Sequence, residues 1–595
     1  MTLIEEINQA LSLYAEGNKE IAYKKLLKIF KKNNGDNKLR YNIAVIQQDL
    51  RIYSEARKNY EYLIKYEKNI KAIINLYNID IIEEKYEDAL GLINLVIKEE
   101  YNEDSIFCDQ AFVYFKLKNY SKSIQICKNF IKKSIIKEQF LNVLGLNYFA
   151  ENNYAEAESI FKKILEHNPN DIGTLNSLGS LYHEIRKFDE SEKYFISAYK
   201  LNENSYEVIN NLAGLYREDS QYNKSIALYK KSLILYPKSP KVLNNLAKCY
   251  FDINKLDLAE KFSKKALNLD SKDGNIRKII ALIYLRKQNY RDGWRYFDGR
   301  LNLSEFESKN KSIVNFKSKL KTNNLVKRES NILIIREQGI GDEILYGTMY
   351  KDFLNKFNSV TIECDVRLKK LFQENFKGYE SRFVELGTYS KNITKLKTFD
   401  DIIFAGSLGK FVRNSKMDFN GGSYLEADKD LVKKMEKNIK TNKGRFKIGL
   451  SWKSFKNRYS EEKSLSLDNL LNILKSDNCD FFNLQYGNVS NEIKDFKNRN
   501  KIEINTIKNL DIFNDIDNLS ALLENLDLLI TVSNSTAHLA GALGVKTLLI
   551  KPMNHALFHY WNQPSNKTPW YDSVILADKQ DVINEIDLIQ KYLNF

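Results

Sequence analysis

Leu528-Leu-Ile-Thr-Val-Ser-Asn-Ser-Thr-Ala-His538-Leu-Ala-Gly-Ala-Leu-Gly544 passes from an apolar strand, through a cluster of hydroxyl and amide side chains, into a helix of small residues ending at a glycine. The first turn of such a helix leaves backbone N–H groups unpaired and carries partial positive charge, so the junction suits a phosphate or pyrophosphate. Around it runs an α/β pattern. Asn331–Arg336, Ser359–Cys364, Phe399–Phe404, Phe446–Trp452, Phe481–Gln485, Leu526–Val532 and Lys546–Ile550 are short apolar runs separated by helical stretches. This alternation predicts parallel sheets covered on both faces, with ligands beyond the carboxyl ends of the strands. The helical, lysine-rich stretch Asp428–Lys443 separates two series of runs. Two Rossmann-like halves, 331–443 and 444–595, with a cleft between them are therefore expected.

Upstream the period is different. Small residues recur at Ala111, Gly145, Gly179, Ala213, Ala247 and Ala281, each 34 residues from the last. A tyrosine follows three residues after each: Tyr114, Tyr148, Tyr182, Tyr216, Tyr250 and Tyr284. Tyr120, Tyr154, Phe188, Tyr222, Leu256 and Tyr290 hold a third register, and Ser123, Ala157, Ser191, Ser225, Ala259 and Gly293 a fourth. Fainter copies begin at Ala10 and Ala44. Small residues let paired helices approach, aromatics fill the gap to the next pair, and stacking buries faces that one pair leaves exposed. The pattern resembles the tetratricopeptide repeat, with Pro169 and Pro237 where that repeat places its proline. About nine helix pairs over 3–297 are expected, forming an α-solenoid whose groove binds peptides or protein surfaces by that resemblance. Residues 298–330, polar and aperiodic, read as a linker packed over the junction.

Each half offers one turn with chemistry. Gly339-Ile-Gly-Asp342 lies directly after a strand and before a helix, so its glycines permit close approach of a ligand. Asp342 is there either a helix cap or a catalytic carboxylate. In the second turn, Ser535 and Thr536 offer hydroxyl donors, and His538 sits in the helix's first turn, where a neutral imidazole is expected to donate one N–H. His538, His555 and His559 cluster, but no cysteine or acidic ligand accompanies them at a spacing that suits zinc. Asp515-Ile-Asp517 forms an acid-x-acid pair that reads as helix capping.

Residues 330–580 resemble the bacterial tetratricopeptide-linked glycosyltransferases related to family 9, the heptosyltransferases, which have the two-Rossmann GT-B fold. The architecture is also similar to that of the O-linked N-acetylglucosamine transferases. The matching segments are Gly293-Trp-Arg-Tyr-Phe-Asp-Gly-Arg300, Glu337-Gln-Gly-Ile-Gly-Asp342, Phe399-Asp400 with Gly406-Ser-Leu, and Ile448-Gly-Leu-Ser-Trp-Lys453. Lys463-Ser-Leu-Ser-Leu467, Leu484-Gln485, Leu526–Ile530, Ser533–Gly544 and Pro569-Trp-Tyr571 complete the set. The resemblance implies transfer of a sugar from a nucleotide-diphosphate sugar to an acceptor hydroxyl, with inversion and without a metal or other cofactor. The donor would sit on the C-terminal half, bound by Asn534, Ser535, Thr536 and His538, the last three at its pyrophosphate. Lys453 and Lys463 would offset phosphate charge, and Gln485 would lie near the base or ribose. Asp342 would be the general base, in an acceptor-side turn built on Gly339 and Gly341. The acceptor, a protein or a glycan, could be recruited by the repeat groove. The family has aspartate where this chain has Ser533 and Asn518. A repeat scaffold carrying a degenerate transferase domain is the alternative.

Composition narrows the classes further. With 595 residues, the chain is too long for one core. A formal net charge of +15 is explained either by an acidic or phosphorylated partner or by a solvated lysine-rich surface. No basic stripe with interleaved aromatics supports nucleic-acid binding. Five dispersed cysteines fit a reducing compartment. An acidic N-terminus and the absence of a run of ~20 apolar residues predict no signal peptide, no transmembrane segment and a cytoplasmic protein.

Overall fold

Eighteen α-helices, from Leu3–Ala15 to Tyr290–Phe297, follow one another in the first part of the chain among the described residues. The computed structural model describes residues 3–32, 36–101, 103–310, 313, 320, 326–439, 441, 444–455, 460–476, 478–552, 558–561, 563 and 565–584. The chain forms two units, Met1–Leu215 and Tyr216–Phe595.

The 34-residue register has local causes, repeated within each unit. Lys118, Asn152, Arg186, Ser220, Asn254 and Gln288 all take left-handed backbone, with φ between 59° and 63°. At each, the residue that follows returns its N–H to the carbonyl of the register tyrosine. Asn153 donates to Tyr148, Lys187 to Tyr182 and Lys255 to Tyr250, each at 2.8 Å. Arg186 N–H donates to the His183 carbonyl at 3.1 Å, which completes a Schellman cap and ends the helix there. The central small residues are set by what faces them. A Cβ added at Gly145 or Gly179 would fall 2.5 Å from the ring of Phe161 or Phe195. Among the alanines of this register, Ala111 and Ala247 have the smaller Cys127 and Ser263 at the equivalent position, whereas Ala213 and Ala281 have Tyr229 and Phe297. The second small register has its own bond: Ser123 and Ser191 hydroxyls donate to the carbonyls of Ala111 and Gly179, both at 2.7 Å.

Two sheets follow. The first holds β1 (Asn331–Ile335), β2 (Ser359–Cys364), β3 (Phe383–Glu385) and β4 (Asp401–Phe404), all parallel, in the order β3-β2-β1-β4. The second holds β5 (Phe446–Ser451), β6 (Cys479–Asn483), β7 (Ile504–Asn505), β8 (Leu528–Val532), β9 (Thr547–Ile550), β10 (Lys567–Thr568) and β11 (Tyr571–Ala577). Its order is β10-β11-β9-β8-β5-β6-β7, parallel except for β10 against β11. The winding reverses between β1 and β4 and again between β5 and β8. Ligand crevices in open α/β sheets lie at such points. β3, β7, β10 and β11 were not foreseen from sequence, and Gln485 lies beyond the end of β6.

One hydrophobic cluster joins Ala281, Leu285, Tyr290, Trp294 and Phe297 of the last helix pair to Ile332 and Ile334 of β1, and continues to Leu529 of β8 and Leu539 of the following helix. Beside it lies a buried ionic cluster. Arg300 makes a fork to Glu337 (Nε to Oε2 3.0 Å, Nη2 to Oε1 2.5 Å) and reaches Asp298 Oδ1 at 3.2 Å. Lys410 Nζ donates to Asp298 Oδ2 at 2.5 Å, and Gly406 N–H to Glu337 Oε1 at 2.5 Å. Glu337 directly follows β1 and Arg336, so this cluster anchors the turn that begins at Gln338. Of the expected 298–330 linker, Ser304–Lys309 is a short helix, and Leu301, Ile313 and Leu320 pack with Leu333, Ile335 and Phe404 on the first sheet.

Candidate functional site

The two turns singled out in the sequence meet. Helix Ile340–Gly347 begins just beyond β1, and helix Ser535–Leu543 just beyond β8. A Cβ on Gly341 would lie 3.1 Å from His538 Cδ2 and 3.2 Å from Ser535 Cα, so the glycine permits this approach. Before it, Gln338 takes left-handed backbone with φ 64°. Asn534 caps the second helix, accepting from Ala537 N–H at 3.2 Å while its amide donates to Ser451 Oγ at 2.8 Å. Gly544 ends that helix at φ 78°, and Tyr571 packs flat against Gly541 where no side chain intervenes.

A cleft of about 400 Å³ opens where these turns face one another. Gly339, Gly341, Asp342, Lys463, Asn534, Ser535 and His538 line it, together with Ser533. Lys453, Gln485 and Thr536 are not among its lining residues. The Lys453 ammonium is paired with Glu492 at 2.5 Å. Gln485 is spent on backbone: it accepts from Lys453 N–H at 2.6 Å and donates to the carbonyls of Lys453 and Tyr486. Thr536 is buried behind the turn.

Asp342 accepts from Gly339 N–H and from the Tyr560 hydroxyl, both at 3.3 Å. Burial, then the charge of Asp342, holds the Tyr560 hydroxyl well above the usual phenol range, so it stays a donor. His538 stacks on Trp561 with ring centres 4.7 Å apart, and its Nδ1 lies 3.3 Å from the Tyr571 hydroxyl. Burial, reinforced by His559, pushes its pKa down to about 3, so the imidazole is neutral at pH 7. Burial rather than the helix end is the principal cause. Lys463 is buried and holds its ammonium 4.2 Å over the ring of Phe558.

The rest of the lining was not anticipated. Arg336 and Arg367 face the cleft from the first sheet's side, both bound to Asp365 (2.5 Å and 2.8 Å). Phe455, Tyr486, Phe513 and Phe558 add an aromatic wall, with Phe455 46% and Phe513 55% exposed. Arg367 donates to the Phe513 carbonyl at 3.0 Å and covers its ring. Asp515 caps helix Ile516–Glu524 through Asn518 N–H at 3.1 Å, and Asp517 pairs with Lys370, so this acid pair has structural work. His559 is enclosed by Trp294 and Phe297, while His555 lies outside the described residues.

Family models of the tetratricopeptide repeat match residues 138–171, 172–205 and 205–272, so the array is built of these repeats. Protein FlbA of Caulobacter vibrioides is 26% identical over 266 residues, 42% of this chain and 43% of that protein. The chain thus spans less than half the length of the curated relative it matches. A thermophilic tetratricopeptide repeat protein of Thermus thermophilus is 18% identical over 31% of this chain and all of its own, with a TM-score of 0.29. A tetratricopeptide repeat protein of Parabacteroides merdae is 18% identical over 47% of this chain and 98% of its own, with a TM-score of 0.30. Among the described residues no helix is long and apolar enough to cross a membrane.

Proposed function

We propose that the two-sheet part of the chain is a glycosyltransferase of GT-B type, transferring a sugar from a nucleotide-diphosphate sugar to an acceptor hydroxyl. The observation that carries this reading is the convergence of Asp342 from one turn, Ser535 and His538 from the other, and Lys463 from the short helix Ser460–Lys463 on a single cleft at two winding reversals. Asp342 takes the acceptor hydroxyl's proton as that oxygen attacks the anomeric carbon. The bond to the nucleotide breaks, its electron pair leaving with the diphosphate, and configuration inverts. Lys463 and the unpaired N–H groups of the helix that starts at Ser535 stabilise the departing charge. A Tyr571 hydroxyl donating to His538 Nδ1 leaves Nε2–H to donate to a phosphate oxygen. The exposed rings of Phe455 and Phe513 offer stacking faces to a nucleobase. The tetratricopeptide repeats act as a protein-interaction scaffold, which fits a macromolecular acceptor.

A non-catalytic scaffold is the competing reading, favoured by Ser533 at an acidic position of the resembling family and by the engagement of Lys453 and Gln485 away from the cleft. Isothermal titration of the full chain with nucleoside diphosphates decides between them. Binding in the micromolar range is expected; no heat at millimolar ligand would leave only the scaffold.

A further inference from the structure

Ten of the fifteen net positive charges fall within residues 216–297, which hold eighteen Lys and Arg against eight Asp and Glu. This is the part of the repeat array that belongs to the second unit. Helices Pro240–Asp252 and Gly274–Arg286 touch one another directly, as alternate helices of a stacked array do on its inner side. Helices Tyr222–Leu235 and Leu256–Leu269 make no comparable contact. Four cations stand on the inner helices: Arg217 at the end of Tyr206–Glu218, Lys248 on Pro240–Asp252, and Lys278 and Arg286 on Gly274–Arg286.

Only Arg217 has a carboxylate partner among the described residues, Asp252 at 2.6 Å. Lys248 donates to the Asn245 side chain at 3.2 Å and Arg286 to the Phe251 carbonyl at 3.2 Å. The other acids acting on this strip are already engaged. Asp273 caps helix Gly274–Arg286 through Asn275 and Ile276 N–H, and Glu305 is paired with Lys309 at 2.7 Å. Burial, then repulsion from Arg217 and Lys278, pushes Lys248 down to about 8. Burial also lowers Arg286 to about 10. The cations crowd one another, and the acids that act on them, Asp252, Asp273 and Glu305, are each engaged by another group.

We infer that the inner face of these last repeats docks an acidic segment of a partner protein, whose carboxylates pair with Lys248, Lys278 and Arg286. Successive helix pairs are spaced by ~10 Å, so an extended chain rising ~3.3 Å per residue meets a new repeat about every third residue. The tyrosines of the inner helices, Tyr216, Tyr250 and Tyr284, are buried, leaving none of these rings for a nucleic-acid base to stack on. The inference rests on the array as a protein-docking surface and not on the transferase reading.

Fluorescence anisotropy tests it with the full chain and a labelled synthetic peptide carrying Glu at every third position. A Gln-for-Glu peptide and an oligothymidine of equal charge serve as comparison probes. The double variant Lys248→Gln, Lys278→Gln should weaken Glu-peptide binding about tenfold, whereas Lys261→Gln, Lys265→Gln on an outer helix, with the same loss of charge, should change it less than about twofold. Lys278→Gln alone, at an exposed position, gives a smaller loss in the same direction and secures the result if the double variant unfolds. Absence of Glu-peptide binding, equal losses for the two double variants, or tighter binding of the oligothymidine would overturn the inference. A nucleoside diphosphate titration of the same protein reads the enzyme proposal separately. Peptide binding without nucleotide binding would sustain the docking surface and defeat the transferase; the reverse would defeat the surface alone.

Discussion

Asp342 is both a helix cap and the one acidic side chain lining the cleft among the described residues, which makes its replacement informative. Asp342→Asn keeps the shape and the capping oxygen but removes the base. Turnover should fall by roughly 10²–10⁴-fold while nucleoside diphosphate affinity stays within about twofold. Single-turnover transfer beside calorimetry checks this, and unchanged turnover would reduce Asp342 to its cap. His559 gives a pH test away from the cleft. Burial pushes its pKa from 6.5 to about 3, and its Nε2 has no hydrogen-bond partner among the described residues. The unfolded chain therefore binds the proton that the folded chain refuses, and stability present above pH 6.5 is lost as pH falls toward 3. By pH 4 this amounts to on the order of 3 kcal/mol. His559→Phe, which keeps a ring between Trp294 and Phe297, should flatten that acid arm in thermal melts from pH 4 to 7. Equal slopes would show that His559 is not the source. At this scale the sequence disclosed residues that sit in local patterns: Asp342 after G-x-G, and His538 after a hydroxyl cluster. Arg336, Arg367, Phe455, Tyr486 and Phe513 reach the cleft from five separate segments. No local spacing marks such residues, because only the fold brings them together.

The elements of the repeat array were readable because each register answers to a local constraint. The glycines face an aromatic ring, and the tyrosine lends its carbonyl to a cap. The strongest case is Gly179, whose missing side chain is the space taken by Phe195. Gly179→Val should cost about 1–3 kcal/mol by overpacking, read from denaturant midpoints; a neutral result would mean that the helices part without penalty. The cap position carries the opposite expectation. Arg186 is a non-glycine residue held left-handed, so Arg186→Gly should stabilise by up to about 1 kcal/mol. Short strands were less legible. β3 and β7 contribute three and two residues, too few for a period to emerge, and they exist because a neighbouring strand offers free backbone partners.

For the whole chain, the joint between repeats and sheets lies earlier than the loss of the 34-residue pattern suggests. Ala281, Leu285 and Tyr290 belong to the same hydrophobic cluster as β1 and β8, so a truncation ending at residue 290 would cut into that core. Removing residues 1–205 instead takes away nearly all of the first unit and keeps whole helix Tyr206–Glu218, which spans the boundary. The remaining chain should bind nucleoside diphosphates within about twofold of the full protein. A loss of binding would tie the cleft to the first unit.

The ionic cluster around Arg300 carries a practical corollary. Its guanidinium comes from the last repeat's edge and its carboxylate from the cleft turn, so exchanging one helical array for another cannot be done at the boundary of the repeats. A chimera must be spliced upstream of Gly274, leaving the last helix pair with Trp294, Asp298 and Arg300 in the recipient. A graft that severs them would strand Glu337 in a dry interior, a defect worth about 3–5 kcal/mol, placed directly behind the loop that carries Asp342.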